Sequence, residues 1–373
     1  MPEASPWVVP VADTRYALGM TLYPVRHGEV PGSDNLFQSG FWARFKEAAG
    51  QESLSFSVRR GEAVFPLITI VRKGPNGNRY AYVPRGPGHD PGEGNRGLFL
   101  EELSAALAPH LPADTACVRY DTVFPSPFTG PEFYSPNGQW KGAPRAGVRE
   151  LRMNWGTERH ALRKAPFDHL SPDTVVIDLR PSEGEILARM RQTTRNSVRR
   201  AWRSGAEFRL RDRSWLGEWY RIYADTADRK GFYREAFPYF ETLVSLGERE
   251  NADAGPKFLI LSAEKDGRAI AGSIVALYGR QAYYLYAGST LEMRECMPNY
   301  GLQWAAIEAA KAAGCERYDL LGVPPNNDPR HSLYGLYTFK TGMGGKIVHW
   351  SGCWDYPYDG DAYERLINAE NLA

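Results

Sequence analysis

Long apolar runs are missing from this 373-residue chain. No stretch reaches the roughly 18 consecutive apolar residues that a membrane-spanning helix needs, so no such helix is expected. Cysteine is scarce: Cys117, Cys296, Cys315 and Cys353 lie far apart without metal-site spacing. They read as reduced, mostly buried thiols of a cytosolic protein. The seven histidines form no zinc-like pair. An excess of one charge sign is also lacking: 45 Lys and Arg against 44 Asp and Glu give a net charge of +1. Nothing global marks a nucleic-acid binder, and such a role has to rest on a local patch. Met1 to Pro10 shows no basic segment followed by an apolar one, so no secretory signal is expected. What is present is ordinary globular composition, 43% hydrophobic and 24% charged. The length suits two or three domains, each able to bury a core.

The chain contains its own echo. Strands are predicted at Ser53 to Val58 and Ala63 to Val71 across a turn at Arg60-Gly61, and at Tyr80 to Pro84. A helix, Leu98 to Leu111, and a strand, Ala116 to Tyr120 closing on Asp121, follow. The same order returns at Phe258 to Ala263, a turn at Asp266-Gly267, Ala269 to Leu277 and Ala282 to Ala287. Then come a helix over Gly301 to Ala313, stopped by Gly314, and a strand from Arg317 that carries Asp319. Asp-Gly between alternating runs is a strong hairpin signal. The closing strands share residues as well as order: Cys117-Val-Arg119-Tyr120-Asp121 against Cys315-Glu-Arg317-Tyr318-Asp319. Tandem duplication of one α/β domain is the expectation.

A further helix is predicted from Ser182, which forms a capping box with Glu185, to Gly205, followed by a strand over Ala206 to Leu210. Its arginines continue into a basic run: Arg189, Arg191, Arg195, Arg199, Arg200, Arg203, Arg209, Arg211 and Arg213, with only Glu207 and Asp212 against it. Such a face can follow RNA phosphates. Pro136 to Asp173 is rich in Gly, Pro and charge, and the domain junction is expected near its end.

The element order of each unit resembles the GNAT acetyltransferase superfamily. That fold usually cradles the acetyl-CoA pyrophosphate on a Gly-rich loop. The matching stretch in the second unit, Ser289 to Asn299, has no glycine and carries two acids. The first unit's stretch, Gly86 to Gly97, adds Asp90 and Glu93 and matches no phosphate-binding pattern. No CoA, metal or other cofactor is expected.

A set of motifs in order is more specific. These are Asn35-Leu-Phe-Gln-Ser-Gly-Phe-Trp42-Ala-Arg-Phe-Lys46, Tyr82-Val-Pro-Arg-Gly-Pro87, Thr194-Arg195-Asn-Ser-Val-Arg199-Arg200-Ala201 and Arg229-Lys-Gly-Phe-Tyr233. Tyr284-Leu-Tyr286-Ala-Gly-Ser289, Tyr318-Asp-Leu-Leu-Gly-Val323 and Phe339-Lys340-Thr-Gly-Met-Gly-Gly345 follow. With them the chain resembles the FemABX peptidoglycan-bridge aminoacyltransferases. Trp215 to Lys257 is too short for the helical arm of FemA and FemB, which favours the FemX-like form.

The resemblance implies two GNAT-like domains, residues 1–165 with 351–373 on the acceptor side and 166–350 on the tRNA and catalytic side. It implies aminolysis. The side-chain amine of a diamino acid in a stem peptide attacks the ester of aminoacyl-tRNA, on lipid II or a UDP-linked muropeptide. Glycine, alanine or serine is the expected cargo. A cytoplasmic monomer, able to touch the inner membrane face, is expected.

The same resemblance assigns Phe339 and Lys340 to catalysis. A cation between a strand-like loop and Gly342, Gly344 and Gly345 would stabilise an oxyanion, the glycines letting backbone approach substrate. Asp121 is a candidate base for the amine, which needs a raised pKa; its echo Asp319 points instead to a structural role. Lys46, Arg229 and Tyr233 would hold the acceptor's diphosphate, with Arg229 and Tyr233 on one helix face. Tyr284 and Tyr286 would share a strand face lining the acceptor groove. Arg195, Arg199, Arg200 and Arg203 would take tRNA. Two other readings stay open: an N-acyltransferase using acyl-CoA, and a nucleic-acid-binding module without activity.

Overall fold

In the computed structural model, residues 19–250 and 255–372 are described. The stretch Met1 to Pro10, read above for a secretory signal, lies outside them. The chain forms two compact units, Met1–Pro172 with His349–Ala373, and Asp173–Val348.

The first unit contains β1 (Met20–Pro24), α1 (Gly40–Ala48), β2 (Glu52–Arg60), β3 (Ala63–Lys73), β4 (Arg79–Val83), α2 (Arg96–Leu107), β5 (Thr115–Pro125), α3 (Ala146–Met153) and β6 (Arg163–Lys164). The second holds β7 (Asp173–Asp178), α4 (Glu183–Arg189), α5 (Gln192–Arg203), β8 (Glu207–Arg211), α6 (Leu216–Lys230), α7 (Phe237–Arg249) and β9 (Lys257–Lys265). It continues through β10 (Arg268–Tyr278), β11 (Gln281–Ser289), α8 (Pro298–Ala312), β12 (Arg317–Gly322) and α9 (Tyr334–Gly342). The chain ends with β13 (Lys346–Pro357) and α10 (Gly360–Leu372).

The two sheets have one plan. In the first unit the order is β1-β2-β3-β4-β5-β13, antiparallel except for the parallel pair β4–β5. In the second it is β8-β9-β10-β11-β12-β7, again antiparallel except for β11–β12. A helix, α2 or α8, makes each parallel crossover, as parallel pairing requires. This is the tandem GNAT-like α/β plan expected from the sequence. The closing strand differs in origin: β7 precedes its unit, whereas β13 is supplied to the first unit by the end of the chain.

Turn chemistry places the strands. Asp266 and Gly267 sit at φ 50° and 73°, the left-handed pair that a tight hairpin turn demands. Residues of alternate parity feed opposite faces of the second sheet. Leu259, Leu261 and Val275 join Ile186, Val198, Leu302 and Ile307 of α4, α5 and α8. Ile260 and Ile274 join Trp219, Tyr223, Phe240 and Val244 of α6 and α7. The first unit's core gathers Phe56, Phe65, Phe99, Phe124 and Trp354.

Two expectations are corrected. The helix predicted from Ser182 to Gly205 is two helices. Its capping box is present, but Met190 is extended at ψ 151° and the Arg191 N–H donates to the Gly342 carbonyl at 2.9 Å. Burial of Met190 and that bond to the end of α9 outweigh continuous helix. The unit boundary falls at Pro172, not at 165. Asp168 accepts from Lys164 Nζ at 2.8 Å and from the Cys353 N–H at 2.6 Å, and Arg85 donates to the Ser171 carbonyl at 3.0 Å. His169 stacks on Tyr80 at 5.9 Å. These contacts fix 168–171 on the first unit.

Candidate functional site

The parallel pair of the second unit opens. β11 and β12 are paired only from Gln281 to Tyr283 against Arg317 to Asp319. Beyond that β11 runs on to Ser289 along β10, and β12 turns away. Lys340 reaches this opening. Its Nζ donates to the Gly322 carbonyl at the end of β12 at 2.7 Å and lies 5.7 Å from the Tyr284 ring on β11. The side chain is buried. Burial pushes its ammonium down to about 8, and the Asp319 carboxylate pulls the other way.

Lys340 does not lie beside a strand-like loop, as the sequence suggested. It occupies the last turn of α9. The glycines after it lie against protein. A methyl on Gly342 would strike Thr194 of α5, and one on Gly344 would come within 2.9 Å of the Arg189 and Met190 backbone. One on Gly345 would come within 2.8 Å of Val175 and Val176 of β7. They let the end of α9 press against the α4–α5 break, and that close packing aims Lys340. Phe339 packs edge-on to Tyr300 of α8 at 5.0 Å and anchors the same helix.

The two tyrosines part company. Tyr284 pairs with Val275 but Tyr286 with Ile274, so β11 bulges at Leu285. An added residue breaks the alternation of faces. Tyr284 therefore packs on the core beside Lys340. Tyr286 joins Trp219, Tyr223 and Phe240 on the opposite face, its hydroxyl 3.2 Å from that of Tyr239. Burial raises the phenol of Tyr284 to about 12 and pushes that of Tyr286 up further. Of the two, Tyr284 alone belongs to the Lys340 site.

Arg229 and Tyr233 do not share a helix face. α6 ends at Lys230 with Gly231 left-handed at φ 67°, so Tyr233 lies past the helix and is 82% exposed. Arg229 donates to the Ser289 carbonyl at 2.7 Å and to Asp225 at 2.5 Å. It ties the end of α6 to the end of β11, while Tyr233 donates to Glu235 at 3.3 Å.

The basic run is not one surface. Arg195 donates to the carbonyls of Ala188, at 2.9 Å, and Met190 and thus caps α4. Arg209, Arg211 and Arg213 pair with Glu207, Glu264 and Glu248. Arg199, Arg200 and Arg203 instead line an open cleft of about 620 Å³ with Asn196, Lys265 and Glu295. Arg209 pairs within its own strand, but the sequence offered no means of placing Glu264 and Glu248, which come from β9 and α7.

In the first unit, Lys46 lies in the last turn of α1 with Nζ 5.1 and 5.2 Å from the Trp42 and Phe45 rings. Asp121 is fully buried and accepts from the Tyr82 hydroxyl at 2.9 Å. Burial lifts its carboxyl to about 6, against the opposing pull of Arg85 and the Tyr82 bond. Among the described residues no His, Cys, Asp and Glu cluster can hold a metal ion, and no helix is long and apolar enough to cross a membrane.

A duplicated α/β unit with a lysine-filled opening in its second sheet defines an acyltransferase-type architecture. The solved structure of FemX shares this fold, with a TM-score of 0.69 at 18% identity over 91% of this chain and 96% of that one. The profile of the FemAB family matches residues 152–250 and 257–369, more than half of the chain, and the chain belongs to that family. A lipid II:glycine glycyltransferase of Staphylococcus saprophyticus is 30% identical over 134 residues, 34% of this chain and 32% of the relative. Its counterpart in Staphylococcus aureus is 22% identical over 261 residues, 53% of this chain and 62% of the relative. The chain thus spans between a third and three fifths of the length of these curated relatives.

Proposed function

We propose that the chain is an aminoacyltransferase. It moves glycine, alanine or serine from aminoacyl-tRNA to the side-chain amine of the diamino acid in a peptidoglycan precursor. The observation that carries this is the buried Lys340 ammonium in the opening between β11 and β12, held by a neutral carbonyl and faced by a neutral phenol. A cation in a water-poor site is suited to a developing oxyanion. The amine nitrogen bonds to the ester carbon, the carbon–oxygen bond to the ribose breaks, and the amine's proton leaves as the ribose oxygen gains one. The ester is already activated, so positioning and charge suffice, and neither metal nor CoA is called for. Pro298 at the start of α8 removes an N–H where a pyrophosphate would be cradled. The names of the curated relatives support lipid II as acceptor, which would bring a monomeric, cytoplasmic protein to the inner membrane face.

The test is transfer of labelled amino acid from glycyl-, alanyl- or seryl-tRNA to lipid II or to UDP-MurNAc-pentapeptide. Label should pass to one of these acceptors. Transfer from an acyl-CoA in place of the tRNA, or RNA binding without transfer, would replace this reading by one of its rivals. In the same assay, changing Arg199, Arg200 and Arg203 together to alanine should weaken tRNA binding. The slope of log K against log salt should fall by about 2–3, since each of the three lost phosphate contacts removes about 0.7–0.9. An unchanged slope would show that tRNA does not use the cleft.

Within the second unit, Arg229 would offer a contact to the acceptor's diphosphate. Arg229→Ala should weaken acceptor binding by about 1–3 kcal/mol, the worth of a charge-assisted hydrogen bond. The KM for acceptor should rise more than that for aminoacyl-tRNA. Equal rises for both would leave Arg229 only its joint between α6 and β11.

A further inference from the structure

Lys340 has to be aimed as well as charged, and the end of β12 is built for that. The register between β12 and β7 shifts between Asp319 and Gly322. Inside that irregularity Leu321 is left-handed at φ 57°, a conformation that costs a residue with a side chain and persists only when its surroundings enforce it. Asp319 enforces it: its Oδ1 accepts the Leu321 N–H at 2.8 Å. The turned chain then presents the Gly322 carbonyl to Lys340 Nζ at 2.7 Å.

We propose that Asp319 is the positioning residue for Lys340, fixing through the Leu321 turn the carbonyl that aims the ammonium. The inference rests on the transferase reading for its purpose but not for its geometry. Asp319 also supplies charge. Tyr284 of β11 faces Lys340; Tyr318 of β12 lies beside Tyr284, Tyr300 of α8 packs on the adjacent Phe339, and Tyr337 stands one turn earlier on α9 with Arg191 acting on it. Burial keeps these phenols above their usual range, so they stay neutral while Lys340 titrates. Among the described residues, Asp319 is the ionised group that acts on it. The duplication explains why a matching aspartate occurs twice. Asp121 lies on the matching strand of the first unit, where it accepts a hydrogen bond from Tyr82 of the neighbouring strand.

Two variants separate charge from geometry. Asp319→Asn keeps an oxygen for the Leu321 N–H and removes the charge; Asp319→Ala removes both. Two readouts are taken on each folded variant: single-turnover transfer against pH, and the lysine side-chain NMR titration of Lys340, assigned by its loss in Lys340→Met. In Asp319→Asn the Lys340 midpoint should fall by about 1 unit, the low end of what an opposite charge a few ångströms away is worth. The high-pH limb of transfer should move with it. In Asp319→Ala the plateau rate should also drop about 10-fold or more, as for a misplaced catalytic group. If the NMR midpoint moves but no variant and no wild-type protein transfers an amino acid, the positioning stands and the transferase reading falls. If the wild type transfers while Asp319→Asn leaves the midpoint in place and Asp319→Ala keeps the full rate, the positioning role is overturned.

Discussion

Lys340→Met is expected to lower single-turnover transfer from preformed aminoacyl-tRNA about 10²–10³-fold at saturating acceptor, the loss that follows removal of one oxyanion donor. Methionine keeps most of the stem and removes the charge. Acceptor affinity should hardly change, because Lys340 is largely buried against Gly322 and Tyr284. Stability should also change little, for two opposing reasons. The folded state holds Lys340 at about 8 against an ordinary 10.5, so the unfolded chain binds the proton more tightly. At neutral pH that difference disfavours folding by on the order of 3 kcal/mol, and the penalty fades as pH rises from about 8 towards 10.5. Methionine removes it. It also strands the Gly322 carbonyl, at a cost of about 1–3 kcal/mol. A variant that unfolds, or that transfers at near the wild-type rate, would remove Lys340 from the chemistry.

The pH dependence follows from the same group. A lysine-type acceptor amine has to lose a proton, with an ordinary pKa of about 10.4, so its contribution to the rate rises with pH. The Lys340 ammonium is lost above about 8, so its contribution falls. The profile should bend near that value in the wild type. In Lys340→Met the residual rate should climb without the bend.

The duplicated frame was legible because it is written in local chemistry: alternating strands, the left-handed Asp266-Gly267 turn, and the repeated run ending in Asp121 and Asp319. The site was legible only in part. Phe339 and Lys340 stand out as a motif, but the reason for Gly342 lies in Thr194 of another helix, beyond the reach of local pattern. The bulge at Leu285 is decided by how β11 lies on β10. One extra residue was enough to send Tyr284 and Tyr286 to opposite faces. The basic run misled for a related reason: arginines that look alike in sequence are separated by acids brought in from β9 and α7.

A buried ion triad in the first unit was equally hidden, since its members lie 236 and 251 residues apart. Arg119 of β5 donates to Asp355 of β13 at 2.7 and 2.8 Å and to Glu370 of α10 at 2.9 Å through two nitrogens. The Tyr363 hydroxyl also donates to Asp355, at 3.2 Å. The side chains of Arg119 and Asp355 are 0% exposed and that of Glu370 is 3% exposed. Arg119→Met is expected to destabilise the first unit by about 3–5 kcal/mol, because it leaves two carboxylates buried without their cation. Adding Asp355→Asn and Glu370→Gln should recover most of the loss, since the charges then go together. Two units need not unfold as one transition, so the measurement is hydrogen exchange of the β5 and β13 amides in increasing urea. Exchange should accelerate there and stay unchanged in β9 to β11. Protection of β5 and β13 within about 1 kcal/mol of the wild type would mean that the triad is already offset by its own desolvation and does not hold the end of the chain to the first unit.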